Sequence, residues 1–267
     1  MKINSYLDST YLKTPVQSGL SEEETLKIVI DLTQEAIDND IFAVMIRPDY
    51  VKKVRSFLSE KNANVVIGTV IGFHEGTYSI EHKLAEAKKA IEDGVDELDF
   101  VINYEAYKNG ELDLVKKEFV QCTQLCLENG KIAKWIIEIA ALTDEQIADI
   151  TKKIATWAEE NFSNENLEKI FVKSSTGFYK TEGGKPNGAT VEGIKIMLAN
   201  AGKLPVKAAG GVRTPEEAEN MINMGVKRIG TSSAKALIKN EEISAIVFRC
   251  CNSIIFCTNR KTRKAKL

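Results

Sequence analysis

Eight short apolar runs, each followed by a stretch of helical periodicity, constrain this chain more than any other feature. The runs lie at Ser5–Thr10, Phe42–Ile46, Val65–Ile71, Glu97–Ile102, Lys134–Ile139, Ile170–Val172, Leu204–Lys207 and Lys227–Thr231. Continuous Val/Ile/Leu-rich runs of this length read as strands buried on both faces, which is the habit of parallel sheets crossed by helices. Helices are expected over Ser21–Asn39, Tyr50–Glu60, Ser79–Asp93, Asp113–Asn129, Thr143–Glu160, Thr190–Asn200 and Thr214–Gly225, with a closing helix after the last strand capped by Ser232 or Ser233. Ser21 with Glu24, Thr143 with Gln146, and Thr214 with Glu217 have the spacing of capping boxes, and Pro215 suits a first helical position. Eight strand–helix units predict a single (β/α)8 barrel of the TIM type over residues 1–240, with 241–267 as a separate tail. An open, doubly wound sheet is the alternative that the pattern leaves.

Composition narrows the function classes. The 267 residues carry a formal net charge of −2, so no global basic field favours a nucleic-acid partner. No apolar run reaches transmembrane length, and Met1–Leu12 is mixed polar and apolar, unlike a signal peptide. The five cysteines, Cys122, Cys126, Cys250, Cys251 and Cys257, have no CxxC spacing, and Cys122 and Cys126 fall at core-type positions i and i+4 of a helix. With only His74 and His82 in the chain, no metal is expected, and no cofactor is called for. His74 has no triad partner set by spacing. A reduced, cytoplasmic location follows from this pattern.

The chemistry-bearing residues gather at strand ends. Ile170-Phe171-Val172 ends in Lys173-Ser174-Ser175-Thr176-Gly177, and Leu204-Pro205-Val206 ends in Lys207-Ala208-Ala209-Gly210-Gly211. In a (β/α)8 barrel that end carries the site. A lysine amine is nucleophilic only when deprotonated, which burial and a neighbouring cation favour. Lys173 reads as the nucleophile and Lys207 as its electrostatic activator, with their strands placed two positions apart around the barrel. Two solvated strand-end ammonium groups are an equal reading. Asp99 lies inside an apolar run and needs a partner, for proton transfer or as a structural ion pair. Asp96 and Glu97 are expected to face solvent. Asp8 ends the first strand, as a ligand or as a turn cap. Gly210, Gly211, Gly230, Ser232 and Ser233 follow the last two strands, where barrels often hold phosphate; tight strand-to-helix turns are the other reading.

Several phrases together resemble the deoxyribose-phosphate aldolase family. They are Tyr6-Leu7-Asp8-Ser9-Thr10-Tyr11-Leu12-Lys13, Val70-Ile71-Gly72-Phe73, Asp96-Glu97-Leu98-Asp99, Phe171 to Phe178, Gly188-Ala189-Thr190-Val191, Val206 to Thr214, and Arg228-Ile229-Gly230-Thr231-Ser232-Ser233. The likeness runs in order from about residue 3 to residue 238. It implies metal-independent class I aldolases that reversibly cleave 2-deoxy-D-ribose 5-phosphate to D-glyceraldehyde 3-phosphate and acetaldehyde. By motif, Lys173 would form the Schiff base, Lys207 would be the second active-site lysine, and Asp99 would shuttle protons. Gly210, Gly211, Ser232 and Ser233 would bind phosphate, with Asp8, Thr176 and Gly230 in the substrate set. Scission is expected at C3–C4 of the sugar. The family's habit implies a homo-oligomer, dimer or tetramer, with the sugar phosphate and acetaldehyde as its small-molecule partners.

Three departures stand out. Met45 occupies a place where many members carry cysteine, so thiol trapping by aldehydes is not expected there. The loop Phe178–Asn187 is longer than usual, and Lys180 or Lys185 is expected to add a phosphate contact. Many members end in a mobile segment with a terminal tyrosine, whereas this sequence has no tyrosine after Tyr179 and ends in a Cys-containing, basic segment. Other readings are a class I aldolase with a different donor or acceptor, a barrel that binds sugar phosphates without aldol chemistry, and an inactive chain whose tail docks on a partner.

Overall fold

The computed structural model describes residues 2–238, and the 241–267 tail with its three cysteines and basic run lies outside the described residues. Strands β1 (Leu7–Thr10), β2 (Ala43–Ile46), β3 (Val66–Ile71), β4 (Glu97–Val101), β5 (Ile132–Ile136), β6 (Ile170–Lys173), β7 (Val206–Ala209) and β8 (Arg228–Thr231) form one closed, all-parallel barrel. They pair in sequence order, and β8 returns to β1 with Leu7 opposite Ile229. The expected closed barrel, rather than the open sheet, is therefore the architecture.

Helices α1 (Pro15–Ser18), α2 (Glu22–Asp38), α3 (Val51–Glu60), α4 (Ile80–Glu92), α5 (Tyr104–Lys108), α6 (Leu112–Glu128), α7 (Asp144–Asn161), α8 (Val191–Asn200) and α9 (Pro215–Met224) wrap the barrel. Each expected cap is made. The Ser21, Thr143 and Thr214 hydroxyls accept from the backbone N–H three residues on, and Glu24, Gln146 and Glu217 reach back to the cap N–H. Thr14 and Gln17 make a fourth such box around α1, a helix that apolar periodicity was too short to reveal.

The outward faces of the strands are apolar and pack on the helices. Phe100, Phe119 and Trp135 stack in one such layer, with Trp135 Nε1 donating to Thr123. Between α4 and α6 a buried ion pair joins Lys83 and Glu118. Lys83 Nζ also donates to the carbonyls of Gly76 and Val101 at 2.7 Å, and the Asn103 N–H donates to Glu118. Every polar atom of that pair is used, which is the condition for burying charge.

Inside, the barrel departs from the usual layers of branched apolar side chains. Asp8, Glu97, Asp99, Lys134, Lys173, Lys207 and Arg228 are all buried there. Glu97, expected at the surface, is 2% exposed and lies within the barrel because it alternates with Leu98 and shares Asp99's face of β4. Asp96, one residue earlier, faces outward and pairs with Arg55 at 2.6 Å.

Candidate active site

The interior charges form a column. At its base Arg228 lies 3.9 Å from the centre of the Phe42 ring and donates to both Asp8 and Glu97. Lys134 donates to Glu97 at 2.5 Å and to Asp99 Oδ1 at 3.0 Å, so it bridges two acids on β4. At the top, Lys173 and Lys207 both donate to Asp99 Oδ2, at 2.7 and 2.8 Å, and Lys207 also lies 2.5 Å from Asp8 Oδ2. Strands β6 and β7 are hydrogen-bonded neighbours with Lys173 opposite Lys207, not two positions apart as expected from sequence. In-register placement on one face is what brings both amines to a single oxygen.

Four basic groups thus face three acids in the buried interior. The column becomes neutral if one basic group gives up its proton. Burial drives the Lys173 amine down to about 8, with Lys207 and Lys134 adding to the shift and Asp99 opposing it. Burial would raise the Asp99 carboxyl, but Lys134, Lys173 and Lys207 outweigh it and hold Asp99 well below the usual range. Burial likewise works against ionising Asp8, yet Arg228, Lys207 and Lys134 keep its carboxyl low. Lys134 is lowered by burial and raised further by Asp99, Glu97 and Asp8, so it stays charged. Lys173 is therefore poised to lose its proton near pH 8.

Lys173 is also the one that reaches a cavity. A space of about 390 Å³ opens above it, lined by Thr176, Gly177 and Phe178 on one side and by Gly210, Gly211, Gly230, Thr231 and Ser232 on the other. Lys13, Asn187 and Arg213 stand at its mouth. Gly210 and Gly211 both adopt left-handed φ, +75° and +81°. A side chain on Gly188 would place its Cβ 2.5 Å from the Gly210 carbonyl carbon, so the 178–188 loop closes directly onto that turn. Gly210 donates its N–H to the Gly230 carbonyl at 3.2 Å and so contributes shape rather than a free donor.

Asp8 and Asp99 are fully buried beneath the cavity and hold the lysines rather than line the space. Ser233 lies just outside the lining and donates its N–H to Thr231. Lys180 and Lys185 are exposed on the long loop and do not line the cavity; Lys13 and Arg213 supply its positive rim instead. Met45 is buried against Gly68 and also lies away from it. His74 stacks on Phe178, with ring centres 5.5 Å apart.

Sequence reasoning missed Lys134, Arg228 and Glu138. Lys134 is the register partner of Asp99, a pairing between strands that neither run discloses by itself. Glu138 falls within the expected strand Lys134–Ile139, but β5 ends at Ile136 and Glu138 has a left-handed φ of +56°.

The comparisons bear on this arrangement directly. A profile described as DeoC/LacD family aldolase matches residues 7–238, all eight strands. The chain belongs to the DeoC/LacD family of aldolases. A deoxyribose-phosphate aldolase of Thermococcus gammatolerans is 40% identical over 240 residues, 90% of this chain and 96% of that protein. Among solved structures, an aldolase designated QR15 superposes with a TM-score of 0.73 at 31% identity, covering 92% of this aldolase and 99% of that chain. The tetrameric deoxyribose phosphate aldolase of Aeropyrum pernix gives 0.71 at 26% identity, covering 90% and 91%.

Proposed function

We propose that this DeoC/LacD aldolase cleaves 2-deoxy-D-ribose 5-phosphate reversibly to acetaldehyde and D-glyceraldehyde 3-phosphate through a Schiff base on Lys173. The observation that carries the reading is a buried amine, lowered to about 8, at the floor of a cavity whose far wall is a glycine turn with a cationic rim. The named relatives support the same substrate.

The chemistry runs from the amine. Neutral Lys173 attacks C1 of the open-chain sugar, and loss of water leaves an iminium that draws electrons from C2. Counting carbons puts the scission at C2–C3, not C3–C4. The aldehyde carbon is C1, and the products have two and three carbons. Cleavage leaves an enamine on Lys173. Protonation at C2 and hydrolysis then release acetaldehyde. Asp99, hydrogen-bonded to Lys173 and Lys207, is the group through which protons move as the carbinolamine forms and breaks down. Lys207 keeps Lys173 short of protons and keeps Asp99 ionised.

The phosphate is assigned to Gly211, Gly230 and Ser232, with Lys13 and Arg213 adding charge at the mouth. Lys173 and this phosphate-binding set line one space, which a five-carbon chain carrying both groups needs. Asp8, held by Arg228 and Lys207, supports the lysine rather than the substrate.

The assembly proposed is a homo-oligomer, dimer or tetramer, as in the tetrameric relative. Among the described residues no helix is long and apolar enough to cross a membrane, and a cytoplasmic site in deoxynucleoside breakdown is the proposed setting. We assign residues 1–240 to one catalytic barrel and 241–267 to a tail outside it. The test is direct: the purified protein should form glyceraldehyde 3-phosphate from 2-deoxy-D-ribose 5-phosphate, and Lys173→Met should not. Failure of the unmodified protein to cleave that sugar while cleaving another aldol would reassign the substrate.

A further inference from the structure

Glu138 is a buried carboxylate that the column above does not use. It sits two residues past β5, and its backbone takes the left-handed conformation that side chains rarely adopt. Its Oε2 accepts from both the Thr176 N–H, at 3.1 Å, and the Thr176 hydroxyl. Its Oε1 is buried among the described residues with no hydrogen-bond partner. Burying half a carboxylate unsatisfied is costly, and a structural role needs only the other half.

The Thr176 hydroxyl also accepts from the Phe178 N–H at 3.0 Å. Thr176 itself lines the cavity beside Lys173. With its proton committed to Glu138 and one lone pair to Phe178, the hydroxyl has one lone pair left. It can therefore accept a hydrogen bond from a substrate hydroxyl, and the chain of donors then points one way, toward Glu138.

We propose that Glu138, acting through the Thr176 hydroxyl, takes up the proton that the substrate's C3 hydroxyl loses as the C2–C3 bond breaks. The proposal rests on the aldolase reading above. In the step, the C3 hydroxyl proton passes to Thr176 Oγ as the Thr176 proton passes to Glu138. The O–H electron pair becomes the second C3–O bond, the C2–C3 pair becomes the C1–C2 double bond of the enamine, and the iminium π pair returns to the nitrogen of Lys173. No co-reactant is needed. Over the whole cycle one proton leaves the C3 oxygen and one joins C2, so Glu138 is reset by returning its proton through Thr176 to water entering the vacated cavity. Glu138 is thus a positioning residue, and Thr176 is the group in contact with substrate.

The electrostatics suit a group that works in both directions. Burial pushes the Glu138 carboxyl up to about 7, against the two Thr176 hydrogen bonds and the charge of Lys173 on β6. Tyr104 on α5 also feels Glu138: its hydroxyl is pushed up to about 12, chiefly by burial and next by Glu138.

Acetaldehyde separates this role from a structural one, because it forms the imine and enamine on Lys173 but has no C3 hydroxyl. Methyl-deuterium exchange of acetaldehyde in D₂O and cleavage of 2-deoxy-D-ribose 5-phosphate should be measured on the full chain carrying Glu138→Gln. The expected result is exchange within about threefold of the unmodified enzyme and cleavage lowered about 10²-fold, the range for losing a positioned acid–base group. Thr176→Val should show the same split, and Thr176→Ser should restore cleavage; these variants carry the test if Glu138→Gln does not fold. Unchanged cleavage, or exchange and cleavage falling together, would overturn the proposal. Absence of exchange in the unmodified protein would instead remove the Schiff-base reading beneath it.

Discussion

Lys173 and Lys207 stand opposite each other on neighbouring strands and donate to one and the same oxygen, Oδ2 of Asp99. A carboxylate that binds two ammonium groups through one oxygen cannot fully neutralise both. The strain falls on Lys173, which pairs with no second acid among the described residues, whereas Lys207 also pairs with Asp8. That asymmetry leaves the Lys173 proton the less firmly held by Asp99, in line with its lowered pKa.

Removing Lys207 should therefore weaken Lys173 as a nucleophile at neutral pH without touching it. Lys207→Met deletes a repelling cation and leaves Asp99 freer to hold the Lys173 proton. Both effects raise the Lys173 pKa from about 8 toward its ordinary value of 10.5. The acid limb of kcat/KM for sugar cleavage should move up by one unit or more, where a unit is about 1.4 kcal/mol. A limb that stays near pH 8 would show that Lys207 does not tune the amine.

Asp99→Asn should act with the opposite sign. It removes the anion that raises the Lys173 pKa, so the acid limb should move below pH 8. The rate should nevertheless fall about 10²- to 10⁴-fold, because proton transfer loses its carboxylate. The variant also leaves Lys134, Lys173 and Lys207 without their shared partner, and a loss of about 3–5 kcal/mol in urea unfolding is expected. Wild-type stability with lowered activity would separate the two roles.

Lys173 itself should cost the fold stability. Its folded pKa, about 8, lies below its ordinary value of 10.5, so below pH 8 the native state holds a charge it disfavours. The penalty is full below pH 8 and fades as pH rises from 8 to 10.5, where the unfolded chain also loses the proton. Lys173→Met should unfold at higher urea than wild type at pH 7, by up to about 3 kcal/mol, with the difference shrinking by pH 10. A variant less stable at pH 7 would contradict the proposed charge imbalance.

The ion pair between α4 and α6 gives a control far from the cavity. Lys83→Met leaves Glu118 buried without its cation and should cost about 3–5 kcal/mol. Adding Glu118→Leu should recover most of that loss, since an apolar pair of similar size suits the site. Additive losses in the double variant would mean that the backbone contacts of Lys83 and Glu118, not their charges, carry the stability.

The barrel was legible because its signals are local. Each strand is an apolar run, and Ser21, Thr143 and Thr214 mark helix starts with side chains three residues away. Lys173, Lys207 and Asp99 were legible as candidates because charges inside apolar runs need an explanation. Glu97 and Lys134 were not, since a charge at the first or third residue of a strand faces in or out according to a register that closure of the barrel sets. Arg228 depends on Asp8, 220 residues away, and no local pattern links them. Glu138 was hidden by its neighbours: Ile136, Ile137 and Ile139 extend the apolar run, while the backbone turns left-handed within it.

Reaction of the protein with acetaldehyde under borohydride, followed by peptide mass spectrometry, tests the central claim most directly. An ethyl group on Lys173, with trapping that rises through pH 8 and is absent from Lys173→Met, is the expected result. A folded protein that takes up no ethyl group at Lys173, or takes it at Lys207 instead, would contradict the account.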